Sequence, residues 1–338
     1  MDYNVVLFVD SSMLGGIETH LVELSKLLTQ NRISNNIMFY EDHKNQAFYA
    51  LLNKENIRYE FLKGNLSSLL KKLKTFDSKT VVHTHGYKAG IFGRLACKVT
   101  KHRCISTYHA GEAGTGKLKI YNKLDKLLSP LSTNFAVSEQ IKASLKNATL
   151  LENFIAINSS NSHFNRCDKK TLNIGFVGRL SFEKGPDIFC RLAENMQQDL
   201  DIKFHIFGDG PLKGEVPNLH NLQYHGLVER NDIWSKIDVL LICSREEGLP
   251  MALLEAISEQ KFIISSAVGA IPSIIKHDET GFLMLEANAQ HCQYQVEKLL
   301  LLPEEQTKRI INNAYNILEE RFSGKQQFLL LQKAYTGT

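Results

Sequence analysis

The chain has 338 residues, 43% hydrophobic and 22% charged, an ordinary soluble composition at a length that exceeds one usual core, so two domains are expected. No window approaches the roughly 18 apolar residues of a membrane span, and the N-terminus has neither basic n-region nor cleavage site, so a cytoplasmic protein is expected. Residues 1–160 hold 21 Lys+Arg against 13 Asp+Glu, whereas 161–338 hold 19 against 23, which directs the search for an anionic partner to the first half.

Short β-rich runs alternate with longer helical ones, the pattern of α/β proteins with parallel sheets. Strands are predicted at 4–9, 36–40, 58–62, 81–85, 103–108 and 132–137, and the scheme restarts at 172–177, 203–207, 221–225, 238–243, 262–266 and 281–284. Residues 158–170 are polar and aperiodic, as a linker would be. The expected domains are therefore 1–160 and 161–320, each a doubly wound Rossmann-like sheet, with a helix at 321–338 returning to the first. Residues 304–336 read as helical twice over, broken near Ser323-Gly324. The six cysteines lack Cys-x-x-Cys spacing and are expected as buried thiols rather than disulfides or a zinc site.

Ligands of open α/β sheets bind beyond the carboxyl ends of the strands, so the residues directly after strands carry the functional reading. After the first strand, Gly15-Gly16 precedes an amphipathic helix and would let backbone approach a phosphate, although a flexible turn has the same composition. His83, His85 and His109 fall at two further strand ends, where His109 has the reach of a hydrogen-bond donor or an acid/base group. Gly178-Arg179-Leu180 and Glu183-Lys184-Gly185 bring a guanidinium and an ammonium to a strand end, a pair suited to a diphosphate. Gly208-Asp209-Gly210-Pro211 makes a tight turn.

Residues 244–256 place Glu247 in a loop with Gly248 and Leu249, and Glu255 in the helix that Pro250 helps to start. Amides at that helix start favour an anion, and the two carboxylates can accept bonds from hydroxyls on either side of it. A solvated acidic flank is the plain alternative for this segment alone. Asp199-Leu200-Asp201, between helix and strand, reads as a turn, and no metal set is expected.

These strand-end motifs, in this order, resemble the retaining glycosyltransferases of family 4, which have the GT-B fold: two Rossmann-like domains facing across a cleft. The resemblance covers nearly the whole chain. It rests most on Gly178-Arg179-Leu180 with Glu183-Lys184-Gly185, on Gly208-Asp209-Gly210-Pro211, and on Glu247 through Glu255. It implies metal-independent transfer from a nucleoside-diphosphate sugar, a UDP-sugar being favoured, to a glycan or lipid-linked acceptor. Arg179 and Lys184 would then hold the diphosphate, Glu247 the transferred sugar and Glu255 the ribose. Gly15, Gly16, Gly178, Gly208, Gly248 and Leu249 would line the donor, and His109 would lie near its sugar. Gln260-Lys261, Gly269-Ala270 and Asn153-Phe154 depart from the family pattern and leave local loop shape open.

An epimerase or sugar-phosphate synthase on the same architecture, and a scaffold subunit with a degenerate site, are the rival readings. For the acceptor side, residues 116–128 alternate Lys117, Lys119, Lys123 and Lys126 with Leu118, Tyr121, Leu124 and Leu128. Such a basic amphipathic helix, with Lys71, Lys72 and Lys74 as a second basic run, is suited to an anionic membrane surface at the inner face, or else is a core helix with wet lysines. Nucleic acid is not expected as a partner.

Overall fold

The computed structural model describes residues 3–12, 15–109, 116–155 and 171–337, and of residues 116–118 and 231 the backbone only. The chain divides into two compact units, Met1–Ala156 with Gly324–Thr338, and Ile157–Ser323. The polar stretch 158–170, expected as the linker, lies outside the described residues.

The first unit runs β1 (Asn4–Val9), α1 (Gly16–Gln30), β2 (Asn35–Phe39), α2 (Gln46–Lys54), β3 (Tyr59–Phe61), α3 (Leu66–Leu73) and β4 (Thr80–His85). It continues with α4 (Tyr87–Thr100), β5 (Arg103–Tyr108), α5 (Gly116–Leu127), β6 (Thr133–Ala136), α6 (Glu139–Ala143) and β7 (Ala148–Leu150). The strands form one sheet in the order β3-β2-β1-β4-β5-β6-β7, and its pairs are parallel.

The second unit runs β8 (Leu172–Val177), α7 (Pro186–Asn195), β9 (Ile202–Phe207), β10 (Leu222–Gly226), α8 (Arg230–Lys236) and β11 (Val239–Ile242). It ends with α9 (Met251–Ser258), β12 (Phe262–Ser266), β13 (Phe282–Met284), α10 (Ala289–Leu301) and α11 (Glu304–Arg321). Its parallel sheet has the order β10-β9-β8-β11-β12-β13. Pro250 stands immediately before α9 instead of within its first turn.

Helices on both faces of each sheet explain the continuous apolar strands. Along β1, Val5, Leu7 and Val9 enter one core with α1, whereas Val6 and Phe8 enter a second core on the opposite face. The last helix, α12 (Lys325–Thr336), belongs to the first unit, where Phe328, Leu331 and Tyr335 complete the α1 side of the core. The edge strand β7 has no counterpart in the predicted elements, because Ala-Thr-Leu is too short to show a period.

Side-chain caps fix several helix starts: Asn45, Asn65, Ser138 and Asn288 each accept a first-turn N–H. At the Asn153-Phe154 departure from the family pattern, Phe154 is fully buried against His20 and the α1 core.

Helix α5 is held by charge, with Arg94 of α4 almost fully buried. Its guanidinium donates to Asp125 Oδ1 at 2.6 Å, Ser132 Oγ at 2.8 Å and the Tyr108 hydroxyl at 2.5 Å. Gly90, one turn earlier on α4, leaves the space, since a Cβ there would overlap Asp125 Oδ1. Burial pushes the Asp125 carboxyl pKa up, and Arg94 opposes that shift. Removing one partner of such a pair leaves a desolvated charge. Arg94→Ala is therefore expected to cost about 3–5 kcal/mol, measured as a lower urea midpoint at unchanged slope.

Candidate active site

In the second unit the turns after β8, β9, β11 and β12 pack backbone on backbone. Gly178 donates its N–H to Phe207 O at 3.0 Å, and Leu180 donates to Asp209 O at 3.1 Å. Gly208, at φ +133°, sits where any Cβ would overlap the Gly178 carbonyl oxygen. Gly269, at φ +58°, crowds the Glu247 and Gly248 carbonyls in the same way, and Ala270 donates its N–H to Gly248 O at 2.8 Å. The Gly-Ala departure from the family pattern thus keeps the glycine that the close approach requires.

This packing brings Lys184 and Glu247 together. The Lys184 ammonium donates to both Glu247 carboxylate oxygens at 2.7 Å, and Ser244 Oγ donates to Oε1 at 2.7 Å. The Glu247 side chain is only 6% exposed, so these donors stand in for the water it lacks. Arg179 is exposed at the end of β8. Glu183 accepts from Ser181 Oγ at 2.6 Å; burial works against its ionisation, yet that bond and the nearby Arg179 and Lys184 charges lower its pKa.

Glu255 lies buried in α9 with its carboxylate 3.6 Å from Arg230 Nε at the start of α8. Leu249 is buried beside the start of α9, and Gly248 is exposed. Arg245 fastens the loop from the other side. It donates to Phe182 O at 2.7 Å and to both Asp187 oxygens at 2.9 and 2.6 Å, with its guanidinium over the Phe182 ring. Neither Arg230 nor Arg245 was singled out from sequence. Arg245 lies within the stretch 244–256, so its proximity was available there.

The first unit gathers histidines at the ends of β4 and β5. Parallel register sets His85 opposite Val9 and Thr107, and His109 follows two residues beyond Thr107. His85 Nδ1 and His109 Nε2 share a hydrogen bond of 3.0 Å. His20, from α1, completes the group: one ring nitrogen of each lies within 4.8 Å of the others. Burial holds all three rings neutral, lowering His20 to about 4 and His85 and His109 well below the ordinary value. His83 bonds Tyr335 of α12 at 2.9 Å and Thr107 at 2.7 Å.

Gly15 and Gly16 open α1, both exposed, with Met13 and Leu14 outside the described residues. Nearby, Ser11 Oγ donates to the buried Glu18 carboxylate, whose pKa burial raises. His20 was missed from sequence because it precedes a run of leucines and marks no strand end.

Two parallel Rossmann-like units, one with basic and acidic side chains gathered at its strand ends, agree with the architecture expected of GT-B glycosyltransferases. Residues 159–317 match the model described as glycosyl transferases group 1, and residues 14–151 match glycosyltransferase family 4. The chain belongs to family 4.

The O-antigen biosynthesis glycosyltransferase WbnH of Escherichia coli is 26% identical over 97% of this chain and 99% of its own length. The UDP-Gal:alpha-D-GlcNAc-diphosphoundecaprenol alpha-1,3-galactosyltransferase of the same species is 26% identical over 80% of this chain and 81% of its own. Anabaena HepE, solved with UDP-glucose, shares the fold at a TM-score of 0.80 and 16% identity, covering 99% of this chain and 100% of that one.

The turn packing gives a direct test. Gly208→Ala is expected to destabilise the protein by about 1–3 kcal/mol through overlap with Gly178, seen as a lower melting temperature. An unchanged melting temperature would show that the two turns are not held in contact.

Proposed function

We propose that the protein transfers a sugar from a nucleoside-diphosphate sugar, with retention of anomeric configuration and without a divalent metal, to a hydroxyl of a glycan or lipid-linked acceptor. The reading extends to the synthesis of a cell-surface polysaccharide. One observation carries it: Lys184 and Glu247 are joined at 2.7 Å beside the exposed Arg179, so a cationic diphosphate cradle and a sugar-facing carboxylate share one set of strand ends.

In this reading Arg179 and Lys184 stabilise the negative charge that grows on the departing diphosphate. Glu247, already positioned by Ser244, accepts from hydroxyls of the transferred sugar, and Glu255 accepts from the ribose. Gly178, Gly208, Gly248 and Leu249 provide backbone and packing surface along the donor. Within the first unit, Gly15, Gly16 and His109 are assigned to substrate contact. A uridine donor is favoured by the UDP-galactose in one relative's name and by the UDP-glucose held by HepE.

Nucleoside diphosphate release from a panel of nucleotide sugars, in the presence of acceptor glycans and lipids, tests the assignment. Release is expected to survive a chelator and to fall about 10²–10³-fold in Arg179→Ala and in Lys184→Ala. Release that demands metal, or that both variants leave unchanged, would overturn it. Isomerised donor without release would instead support an epimerase.

The acceptor side is read from α5. Ile120 and Leu127 are 69% and 73% exposed, and Tyr121 and Leu124 are exposed too, interleaved with exposed Lys119, Lys123 and Lys126. Among the described side chains of α5 the buried one is Asp125, bound to Arg94. Apolar side chains in water between lysines fit the interface of an anionic bilayer at the inner membrane face better than a core helix. The side chain of Lys117 lies outside the described residues, and Lys72 of the second basic run is paired with Glu60 at 2.5 Å. Among the described residues, no helix is long and apolar enough to cross a membrane.

Flotation with vesicles containing anionic lipid is expected to recover the protein. Replacing Lys119, Lys123 and Lys126 by Gln should weaken binding by about 1 kcal/mol per charge, on the order of 100-fold together. Equal recovery of variant and parent would sink the membrane proposal.

A further inference from the structure

We infer that Arg245 is a positioning residue for the transfer reaction: acting through Lys184 and Glu247, it fixes the turn that carries the one against the loop that carries the other. This role rests on the assignments of Lys184 and Glu247 made above. Lys184 ends a single 3-10 turn, Phe182–Lys184, and Glu247 lies in the loop between β11 and α9. Side chains on such segments are placed less closely than side chains on long elements unless something ties the segments together. Arg245 ties them with its backbone and its side chain at once. Its backbone N–H donates to Glu183 O at 2.8 Å, and the Glu246 N–H reaches the same oxygen at 3.3 Å. Its Nη1 donates to Phe182 O at 2.7 Å and to Asp187 Oδ1 at 2.9 Å, and its Nη2 donates to Asp187 Oδ2 at 2.6 Å. These partners stand on both sides of Lys184, with Phe182 and Glu183 before it and Asp187, in the first turn of α7, after it. Arg245 itself precedes Glu247 by two positions, so the residue that grips the lysine turn also sets where the glutamate begins.

A simple ion pair at the surface would hold little. Here one planar group makes a forked pair with a carboxylate, a bond to a backbone carbonyl and a face contact with an aromatic ring, its centre 4.1 Å from that of Phe182. Phe182 is 68% exposed, and the guanidinium covers part of what its own core does not. The bond to Arg245 lowers the Asp187 pKa, which keeps the pair ionised. Because Asp187 answers the charge of Arg245, the guanidinium serves as a fastener, and Arg179 and Lys184 remain the cations of the diphosphate. When the diphosphate draws Lys184 away from Glu247, the fastened turn stays in place and the ammonium moves by rotation of its own side chain. The fork and the ring contact both need a planar group, so a lysine cannot replace this arginine.

Steady-state release of nucleoside diphosphate, with the nucleotide sugar and acceptor that the unaltered protein uses best, is measured for Arg245→Ala, Arg245→Lys, Asp187→Ala and the double alanine variant. Each is assayed at a temperature where circular dichroism shows it folded. Displacement of reacting groups by about 1 Å can cost on the order of 100-fold in rate, so kcat is expected to fall about 10–100-fold in each single variant, with donor KM changed less than about threefold. The double variant should be no slower than Arg245→Ala, because the two side chains act as one unit. Asp187→Ala carries the deciding sign. Were Arg245 a cation for the diphosphate, freeing it from Asp187 would leave the rate unchanged or raise it, and Arg245→Lys would stay active. A merely structural role would lower the melting temperature and leave kcat of the folded variants unchanged. Either of those patterns would overturn the role of Arg245 and leave the transfer reading standing, whereas an unaltered protein that releases nothing from any nucleotide sugar would overturn both.

Discussion

The contact of one strand-end turn with the next, backbone against backbone, is the constraint on which the second unit's site depends. Gly185, Gly208 and Gly269 each sit where a side chain would overlap a neighbouring carbonyl, at Cys243, Gly178 and Glu247 respectively. Because nothing separates these turns, side chains from distant parts of the chain meet over a few ångströms. Lys184 and Glu247 are the product. A carboxylate as enclosed as Glu247 requires donors, and the lysine and Ser244 now provide them. An anion that drew Lys184 away would leave Glu247 in need of hydroxyl donors, which a sugar attached to that anion would bring.

The first unit solves a different problem. Its strand ends carry buried imidazoles whose pKa values burial lowers, and among the described residues a deeply buried guanidinium–carboxylate pair joins α4 and α5. That pair attaches α5 through Asp125 and Arg94 while Ile120 and Leu127 stay in water. An amphipathic helix need not turn its greasy face inward when an ion pair does the holding.

Most strands were legible because strands buried on both faces read as near-continuous apolar runs, and β1 and β11 are examples. Lys184 and Glu247 were legible as strand-end residues, but their mutual pairing was not, since 63 positions separate them. His20, Arg230 and Arg245 escaped for a related reason. Their significance lies in long-range partners, His85 and His109, Glu255, and Asp187, and single-sequence periodicity contains no such information. In α5 the buried side chain bound to Arg94 is Asp125, a residue that hydropathy alone would place outside.

The membership of α12 in the first unit has a consequence for how the chain is made. Its Phe328, Leu331 and Tyr335 fill the same core as β1 and α1, and Gly324 starts it against Leu27 and Phe154. A ribosome delivers β1 through β7 long before it delivers α12, and the whole second unit emerges between them. The first unit must therefore wait with an open apolar face until translation has passed the second, so the unit encoded first is the one completed last.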